Sequence, residues 1–191
     1  MSTPEISVVI PLYNEVLNLD DLCVELKKAL DPIGRSYEVI LVDDGSKDGT
    51  GKRALEIAKT DPTLRVLRLR RNFGQTAAFS AGFDHAKGGI VVTSDGDLQN
   101  DPADIGAMVK KLDEGEGYDI VCGWRKNRHD PLSKKIPSFF ANRLISWATG
   151  VEIHDYGCSL KAIRADVVKG IRLYGEMHRF IPAVAASMGV R

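Results

Sequence analysis

In the first part of the chain, short hydrophobic runs typical of strands alternate with hydrophobic residues at helical spacing. Residues 6–12 form a short apolar run rich in β-branched side chains, which is typical of a strand buried on both faces of a parallel sheet. Across residues 16–30 the apolar positions recur at the spacing of one helix face, and Pro32 and Gly34 follow as helix-ending residues. These residues therefore predict a strand followed by a helix.

The same alternation of strand and helix patterns repeats along the chain. Further strands are predicted at residues 37–42, 64–69, 90–93, 118–122 and 159–163. Helices are predicted between the earlier strands, at residues 48–59, at residues 75–86 and after Pro102. This alternation predicts an α/β fold with an open, mostly parallel sheet and helices on both faces. We expect a single domain over residues 1–191, with a change of character between residues 1–124 and 125–191.

Composition and charge restrict the classes of function. Lys plus Arg number 26 and Asp plus Glu also number 26, so the net charge of zero argues against a nucleic-acid partner. The three cysteines form no metal-binding or disulfide pattern, which favours a reducing, cytoplasmic location. No signal peptide and no apolar run of about 18 residues is present in the sequence. The oligomeric state is left open.

Polar clusters follow the predicted strands. They occupy residues 13–15, 43–46, 95–97 and 123–125. Open α/β sheets bind ligands at the carboxyl ends of their strands, so we expect these clusters to meet at one edge. Carboxylates that converge there would repel each other unless a cation joined them.

The segment Asp95-Gly96-Asp97 is the first candidate for chemistry. Two carboxylates separated by one small residue can share a hard cation such as Mg²⁺ or Mn²⁺, and Gln99 offers a further oxygen from the same loop. Such a cation would neutralise charge on a nucleotide diphosphate leaving group. The structural alternative is a solvated turn, because Asp and Gly favour turns.

The clusters after the first two strands also have two interpretations. Asp44 can accept hydrogen bonds from a nucleotide base, or residues 43–46 can cap the following helix. Tyr13 can stack on a base, or residues 11–15 can simply end a strand and start a helix. The glycines at 45, 49 and 51 match neither a Rossmann fingerprint nor a P-loop, so both of those classes are set aside.

The second half of the chain opens with a basic run at residues 125–135 and a helix-like apolar stripe at residues 136–149. The basic side chains can hold an anionic acceptor, or they can form a solvated loop. The stripe, with its three aromatic residues, can rest on a membrane surface, or it can be a core helix.

In this order, the motifs at residues 9–15, 42–50, 71–75 and 95–99 resemble glycosyltransferase family 2, whose members have the GT-A fold. The motifs at residues 97–102, 123–125, 155–162 and 178–182 resemble the polyprenyl-phosphate sugar transferases within that family, such as dolichol-phosphate mannose synthases and the enzymes that load glucose or aminoarabinose onto undecaprenyl phosphate. The resemblance covers nearly the whole chain. Such relatives often continue into transmembrane helices.

The resemblance implies a role for each matched residue. Nucleotide binding is implied for Pro11, Tyr13, Glu15, Asp44, Gln75 and Asp95. Metal binding, by Mg²⁺ or Mn²⁺, is implied for Asp95, Asp97 and Gln99. Contact with the acceptor phosphate is implied for Arg125, Lys134, Ser138 and Arg179, the last of which is also suited to the donor phosphates. Catalytic roles are implied for Asp97 and Asp155, the latter as a general base or as a group that orients the acceptor or stabilises charge on the sugar.

These roles imply an inverting, metal-dependent transfer of a hexose from a nucleotide sugar, of the UDP-glucose or GDP-mannose type, to undecaprenyl or dolichyl phosphate. We expect the protein on the cytoplasmic face of a membrane, attached peripherally. Three alternatives remain: a transferase with a saccharide acceptor, a nucleotidyltransferase, and a domain that binds nucleotide sugars without turnover. The residues at 13–15 argue against the nucleotidyltransferase, which usually carries a Gly-rich basic loop there.

Overall fold

The structure is a computed structural model that describes residues 3–114, 117–125, 146, 150–151 and 153–190. Its strands are β1 (Ile6–Leu12), β2 (Tyr37–Asp43), β3 (Leu64–Arg68), β4 (Ile90–Thr93), β5 (Ile120–Cys122) and β6 (Lys161–Arg164). Its α-helices are α1 (Leu19–Leu30), α2 (Thr50–Ala58), α3 (Gln75–His85), α4 (Asp104–Asp113), α5 (Ala165–Gly170) and α6 (Ile181–Ser187). Short 3₁₀ helices occupy Asp31–Ile33 and Met177–Phe180.

The described strands form one six-stranded sheet with the order β3-β2-β1-β4-β6-β5. The pairs of β1 with β2, β1 with β4, and β2 with β3 are parallel. Strand β6 runs antiparallel to both of its neighbours, β4 and β5. The predicted α/β class with a mostly parallel sheet is therefore confirmed, and β6 is the strand that runs against the rest.

Helices cover both faces of the sheet, as predicted. Strand β1 shows how the faces are divided, because Val8 and Ile10 belong to one hydrophobic core and Val9 to the other. The first core includes the buried faces of α1 and α4, and the second includes those of α3, α5 and α6. With both faces packed, the carboxyl edge of the parallel strands is the place where polar side chains can meet solvent and ligands.

The structure rules out one of the two interpretations of residues 43–46, which follow β2. Helix α2 begins at Thr50 with Gly49 at its N-cap, so the alternative in which residues 43–46 cap this helix is wrong. Asp48 accepts hydrogen bonds from the backbone N–H and the hydroxyl of Thr50, at 3.0 and 2.6 Å. Asp48 therefore supplies the side-chain bond at the start of α2, and Asp44 takes no part in capping this helix.

The later elements differ more from the prediction. The strand predicted at residues 118–122 covers only Ile120–Cys122, and the one predicted at 159–163 is shifted to Lys161–Arg164. Helices α5 and α6 were not predicted, because each contains too few residues to show a clear helical period in the sequence. The stripe at 136–149 lies outside the described residues except for Ser146, and the part of the chain that the structure describes contains no helix long and apolar enough to cross a membrane.

A buried polar cluster lies at the opposite, amino edge of the sheet. The Glu38 carboxylate accepts hydrogen bonds from the hydroxyl of Ser7 at 2.7 Å, from the backbone N–H of Lys87 at 2.9 Å and from Arg65 at 2.5 Å. The Ser7 hydroxyl in turn accepts from the backbone N–H of Gly88 at 2.8 Å. This cluster joins β1, β2 and β3 to the turn before β4, which is a structural role.

Candidate active site

Two adjoining cavities open at the carboxyl edge of the sheet, and Gln75 and Asp95 line both of them. The amide of Gln75 donates a hydrogen bond to Oδ1 of Asp95 at 2.5 Å. This pair forms the boundary between the cavities. We call the cavity on the β1–β2 side the first cavity and the one on the β6 side the second cavity.

The first cavity has a volume of about 340 Å³. The structure brings together here every residue for which the sequence implies nucleotide binding, together with the second carboxylate of the metal motif. These residues are Pro11, Tyr13, Glu15, Asp44, Gln75, Asp95 and Asp97. Four of the seven are acids, and no lysine or arginine lies among the described residues of this lining. A ligand that carries phosphates would therefore meet a negative wall unless a cation accompanied it.

The loop after β1 is fixed by the loop after β2. Asn14 has a left-handed backbone, with φ of 59°, and its side-chain oxygen accepts a hydrogen bond from the Lys47 N–H at 2.9 Å. The Asn14 N–H donates to the hydroxyl of Ser46 at 3.0 Å, and the Glu15 N–H donates to that of Thr50 at 2.9 Å. These bonds hold Tyr13 and Glu15 at the cavity mouth, where 45% of the surface of Tyr13 is exposed.

Asp44 is buried at the end of β2, and both of its oxygens are used. They accept hydrogen bonds from the backbone N–H groups of Phe73 and Gly74, each at 2.8 Å. The next residue, Gly45, has φ of 69°, and an added Cβ would lie 2.4 Å from the backbone of Arg71. Asp44 thus orders the loop that leads into Gln75 and α3, a role that the sequence patterns did not indicate.

The loop after β4 presents two carboxylates suited to a cation. Oδ1 of Asp95 accepts from Gln75, and Oδ1 of Asp97 accepts from the backbone N–H of Gln99 at 3.0 Å. Within the described part of the chain, Oδ2 of each aspartate accepts no hydrogen bond, so each retains an oxygen for a ligand. Two hard oxygen donors fit Mg²⁺ or Mn²⁺, with a diphosphate supplying further oxygens.

The described residues contain no group of three or more His, Cys, Asp or Glu side chains arranged to hold a metal by themselves. The side chain of Gln99 is exposed and lines neither cavity, so its implied role as a ligand stays a prediction.

The second cavity has a volume of about 280 Å³ and the opposite charge. Four basic or potentially basic side chains line it, against the single acid Asp95. They are Arg125, Lys161, His178 and Arg179. Arg125 and Arg179 are the two described members of the set implied to contact the acceptor phosphate, and they share this cavity. The other two members, Lys134 and Ser138, lie outside the described residues.

Arg125 and the buried Asp155 form a two-pronged ion pair. The guanidinium donates to the two carboxylate oxygens at 2.9 and 3.2 Å. Burial lowers the pKa of Arg125, but the hydrogen bonds and charge of Asp155 outweigh it and raise the pKa above its ordinary value. Arg125 therefore remains a cation, and Asp155 fixes its orientation at the cavity wall.

A hydrogen-bonded chain joins the loops of the two cavities. The amide of Asn100, in the loop after Asp97, donates to the hydroxyl of Ser159 at 2.9 Å. The Cys158 thiol donates to the side-chain oxygen of Asn100 at 3.4 Å, and the Thr93 hydroxyl donates to the Ser159 carbonyl at 2.5 Å. The metal-motif loop and the segment after Asp155 are thereby held in one arrangement.

Two lining residues of the second cavity, Lys161 and His178, lie in the motifs at residues 155–162 and 178–182 but were assigned no role from the sequence. Lys161 is the first residue of β6, and because β6 runs antiparallel, its beginning rather than its end lies at the functional edge. His178 lies in a 3₁₀ turn, and its Nδ1 is 2.7 Å from the hydroxyl of Thr76 on α3. Burial lowers the pKa of His178, with the charge of Glu176 opposing it.

Comparison with known proteins decides the family. The model of the glycosyl transferase family 2 matches residues 7–172. The chain belongs to this family. The resemblance drawn from the motifs at residues 9–15, 42–50, 71–75 and 95–99 is thereby confirmed.

The relatives by sequence are polyprenyl-phosphate sugar transferases. The chain is 50% identical, over 186 residues, to a dodecaprenyl-phosphate galacturonate synthase of Rhizobium johnstonii, with coverage of 96% of this chain and 55% of the relative. It is 42% identical, over 182 residues, to an undecaprenyl-phosphate 4-deoxy-4-formamido-L-arabinose transferase of Shewanella sediminis, with coverage of 94% and 54%. The chain spans about half the length of these curated relatives.

Solved structures share the fold. The mannosyltransferase of Pyrobaculum calidifontis, in complex with GDP-mannose and Mn²⁺, superposes with a TM-score of 0.73 at 21% identity, covering 100% of this chain and 54% of that chain. The glucosyl-3-phosphoglycerate synthase of Mycobacterium tuberculosis, with Mn²⁺, UDP and its product, gives a TM-score of 0.67 at 22% identity, covering 86% and 58%. These likenesses confirm the predicted GT-A fold.

Proposed function

We propose that this chain is the single catalytic domain of an enzyme that transfers a sugar from a nucleotide sugar to a polyprenyl phosphate. The observation that carries the proposal is the adjacency of two cavities of opposite charge, which meet at Gln75 and Asp95. The first suits a cation with a nucleotide diphosphate, and the second suits an anionic acceptor. The relatives at 50% and 42% identity are named for placing a sugar on a polyprenyl phosphate, which supports this acceptor.

The donor binds in the first cavity. Tyr13 supplies an exposed ring against which a base can stack, and Glu15 lies beside it. Asp95 and Asp97 hold the divalent cation, Mg²⁺ or Mn²⁺, through their available oxygens, with Gln99 as a further ligand. When bound, this cation neutralises the charge that develops on the departing diphosphate. The sugar then extends past the Gln75–Asp95 boundary toward the second cavity.

The acceptor phosphate binds in the second cavity, held by Arg125 and Arg179, with Lys134 and Ser138 as further contacts. Arginine recognises phosphate through parallel hydrogen bonds, and the pairing with Asp155 keeps the Arg125 fork in one orientation. The polyprenyl chain of such an acceptor lies in a lipid layer. The proposed enzyme therefore acts at a membrane surface, on its cytoplasmic face.

Asp155 acts by positioning in this proposal. Both of its oxygens are engaged by Arg125, which leaves it poorly arranged to take a proton from the acceptor. A phosphate monoester has a second pKa of about 6, so the acceptor is already mostly ionised at neutral pH. Inversion at the anomeric carbon then needs the acceptor oxygen to be aimed at that carbon, which the Arg125–Asp155 pair accomplishes.

The test is a transfer assay in detergent with Mn²⁺. The chain is incubated with labelled UDP-glucose, UDP-galacturonate or GDP-mannose, and with undecaprenyl or dolichyl phosphate, and the label in the organic phase is measured. We expect a cation-dependent product with at least one donor. A saccharide acceptor is included as the competing case. Transfer to the saccharide alone, or nucleotide-sugar binding without any turnover, would contradict the proposal.

A further inference from the structure

Lys161 belongs to the motif at residues 155–162, but none of the roles described above has been assigned to it. It begins β6 and pairs in register with Thr93 of β4 on one side and with Cys122 of β5 on the other. Thr93 is two residues before Asp95, so Lys161 lies beside the base of the metal-motif loop. Its side chain also lines the second cavity.

The ammonium group of Lys161 is buried, and among the described residues no opposite charge forms an ion pair with it. Only 2% of the residue is exposed. Nζ donates to the carbonyl of Cys158, and no carboxylate of the described residues lies within 4.0 Å as an ion-pair partner. Burial lowers the pKa of Lys161, against the charges of nearby groups that include Asp95 and Asp155.

A buried cation without a partner is costly in free energy, and a ligand anion can offset that cost. An ammonium can donate three hydrogen bonds, and one of those of Lys161 goes to Cys158. The cavity beside it contains two further cationic side chains, Arg125 and Arg179, and a single acid. Arg125 is already paired with Asp155, whereas Lys161 is paired only with a neutral carbonyl.

We propose that Lys161 is a substrate-binding residue, whose ammonium pairs with an oxyanion of the substrate in the second cavity. This inference rests on the proposed function. The oxyanion has two possible sources, the carboxylate of a hexuronic acid on the donor and the phosphate of the acceptor. Because Asp95 lines both cavities, an anion beside Lys161 lies next to the point where donor and acceptor meet.

Two substitutions separate charge from packing. Lys161→Met keeps the unbranched apolar part of the side chain and removes the ammonium group, whereas Lys161→Gln is also neutral but retains a hydrogen-bond donor for the Cys158 carbonyl. Lys169→Met, which changes an exposed lysine on α5, serves as the matched control. Affinities for UDP and GDP with Mn²⁺, which occupy the first cavity, report whether each variant is folded. If the methionine variant does not fold, the glutamine variant decides.

Binding is measured by titration calorimetry with Mn²⁺ present. The probes are UDP-galacturonate against UDP-galactose, GDP-mannuronate against GDP-mannose, and farnesyl phosphate as a short acceptor. We expect both neutral variants to weaken binding of the oxyanion-bearing ligand at least about tenfold, as loss of one partner of a buried charge pair does. The affinity for the nucleotides UDP and GDP should stay within about twofold of wild type, because they occupy the first cavity, which Lys161 does not line.

The pattern of losses identifies the source. A loss confined to the uronate donors assigns the carboxylate to Lys161, and a loss confined to farnesyl phosphate assigns the acceptor phosphate. Unchanged affinities in both variants, or wild-type affinity in the glutamine variant, would overturn the inference and leave Lys161 with a purely structural bond to Cys158. Nucleotide binding that persists in that case leaves the proposed function standing. A wild-type chain that binds no nucleotide or nucleotide sugar overturns both.

Discussion

The two cavities share a wall but have opposite charge, and their strands explain the contrast. The first collects residues that follow the parallel strands β1, β2 and β4, and four of them are acids. The second is lined by residues around the antiparallel strand β6 and by the 3₁₀ helix Met177–Phe180, and its ionisable side chains are more often basic than acidic. We therefore expect the first cavity to accept phosphates only together with a cation, and the second to attract an anion directly.

This contrast suggests why the proposed transfer needs no general base on the acceptor side. The acceptor brings its own charge as a phosphate, so the second cavity only has to hold and aim it. The donor brings a diphosphate that must leave with its charge neutralised, so the carboxylates of the first cavity serve a cation. Substitutions that affect one cavity and spare the other test this division.

The largest effect is expected from Asp97→Ala, in the first cavity. Loss of one of the two carboxylates proposed to hold the cation should reduce transfer at least about 100-fold, or ~2.7 kcal/mol, and weaken nucleotide binding with Mn²⁺. Steady-state assays and calorimetry measure the two quantities. Asp104→Ala, an exposed acid in the first turn of α4, is the matched control. Full activity of the Asp97 variant, or undiminished activity in EDTA, would refute the role of the cation.

Asp155→Asn should affect the second cavity alone. We expect transfer to fall about 10- to 100-fold, because the Arg125 fork loses the charge that fixes it. Nucleotide affinity should not change. The fall should be equal at pH 6 and pH 9 if Asp155 positions Arg125. A loss that shrinks as the pH rises, when the acceptor ionises unaided, would instead support a general base.

Asp44→Ala should loosen the first cavity without removing a ligand of the cation. Two backbone N–H groups, those of Phe73 and Gly74, would lose their acceptors. The expected loss of unfolding free energy is about 2–3 kcal/mol, measured by urea denaturation, with weaker nucleotide binding. Asp84→Ala, an exposed acid on α3, controls for the loss of a negative charge. An equal loss in both variants would argue against the loop-ordering role.

Glu38→Gln, at the opposite edge of the sheet, should affect neither cavity. Burial raises the pKa of Glu38, but hydrogen bonds from Arg65, Ser7 and the Lys87 N–H outweigh it, so the pKa lies below its ordinary 4.5. Its stabilisation is therefore present above pH 4.5 and is lost as the pH falls through the lower folded value. At pH 7 we expect the free energy of unfolding of the variant to be about 1–2 kcal/mol lower than that of wild type.

Denaturation at several pH values checks this effect of Glu38. The difference in the free energy of unfolding between wild type and variant should shrink as the pH falls below 4.5. The affinities for nucleotide and for farnesyl phosphate at pH 7 should remain unchanged. A gap that stays constant in acid would show that the charge of Glu38 contributes nothing.

The sequence predicted the first cavity better than the second, and the reason is physical. Tyr13, Asp44 and Asp95 each follow a hydrophobic run that forms a parallel strand, so their convergence follows from the geometry of the sheet. Lys161, although part of the motif at residues 155–162, was assigned no role, because the direction of β6 is set by long-range pairing with β4 and β5. A hydrophobic run does not encode the direction of its neighbours.

Other features depend on contacts between distant segments. Thr76 and His178 approach each other although they are 102 positions apart. Asn100 and Ser159 join the two loops across 59 positions. Periodicity and turn chemistry describe only local sequence, so neither contact was predicted. The motif resemblance nevertheless placed Arg125 and Arg179 in one group, and the described structure brings both to the second cavity.

The difference in cation dependence between the two cavities is the most direct test. UDP, GDP and farnesyl phosphate are titrated into the wild-type chain, once with Mn²⁺ and once with EDTA. We expect at least one nucleotide to bind tenfold or more tightly with Mn²⁺, a difference of at least ~1.4 kcal/mol, and farnesyl phosphate to bind equally in both. Nucleotide binding that is unchanged in EDTA, or farnesyl phosphate binding that needs the cation, would contradict the account.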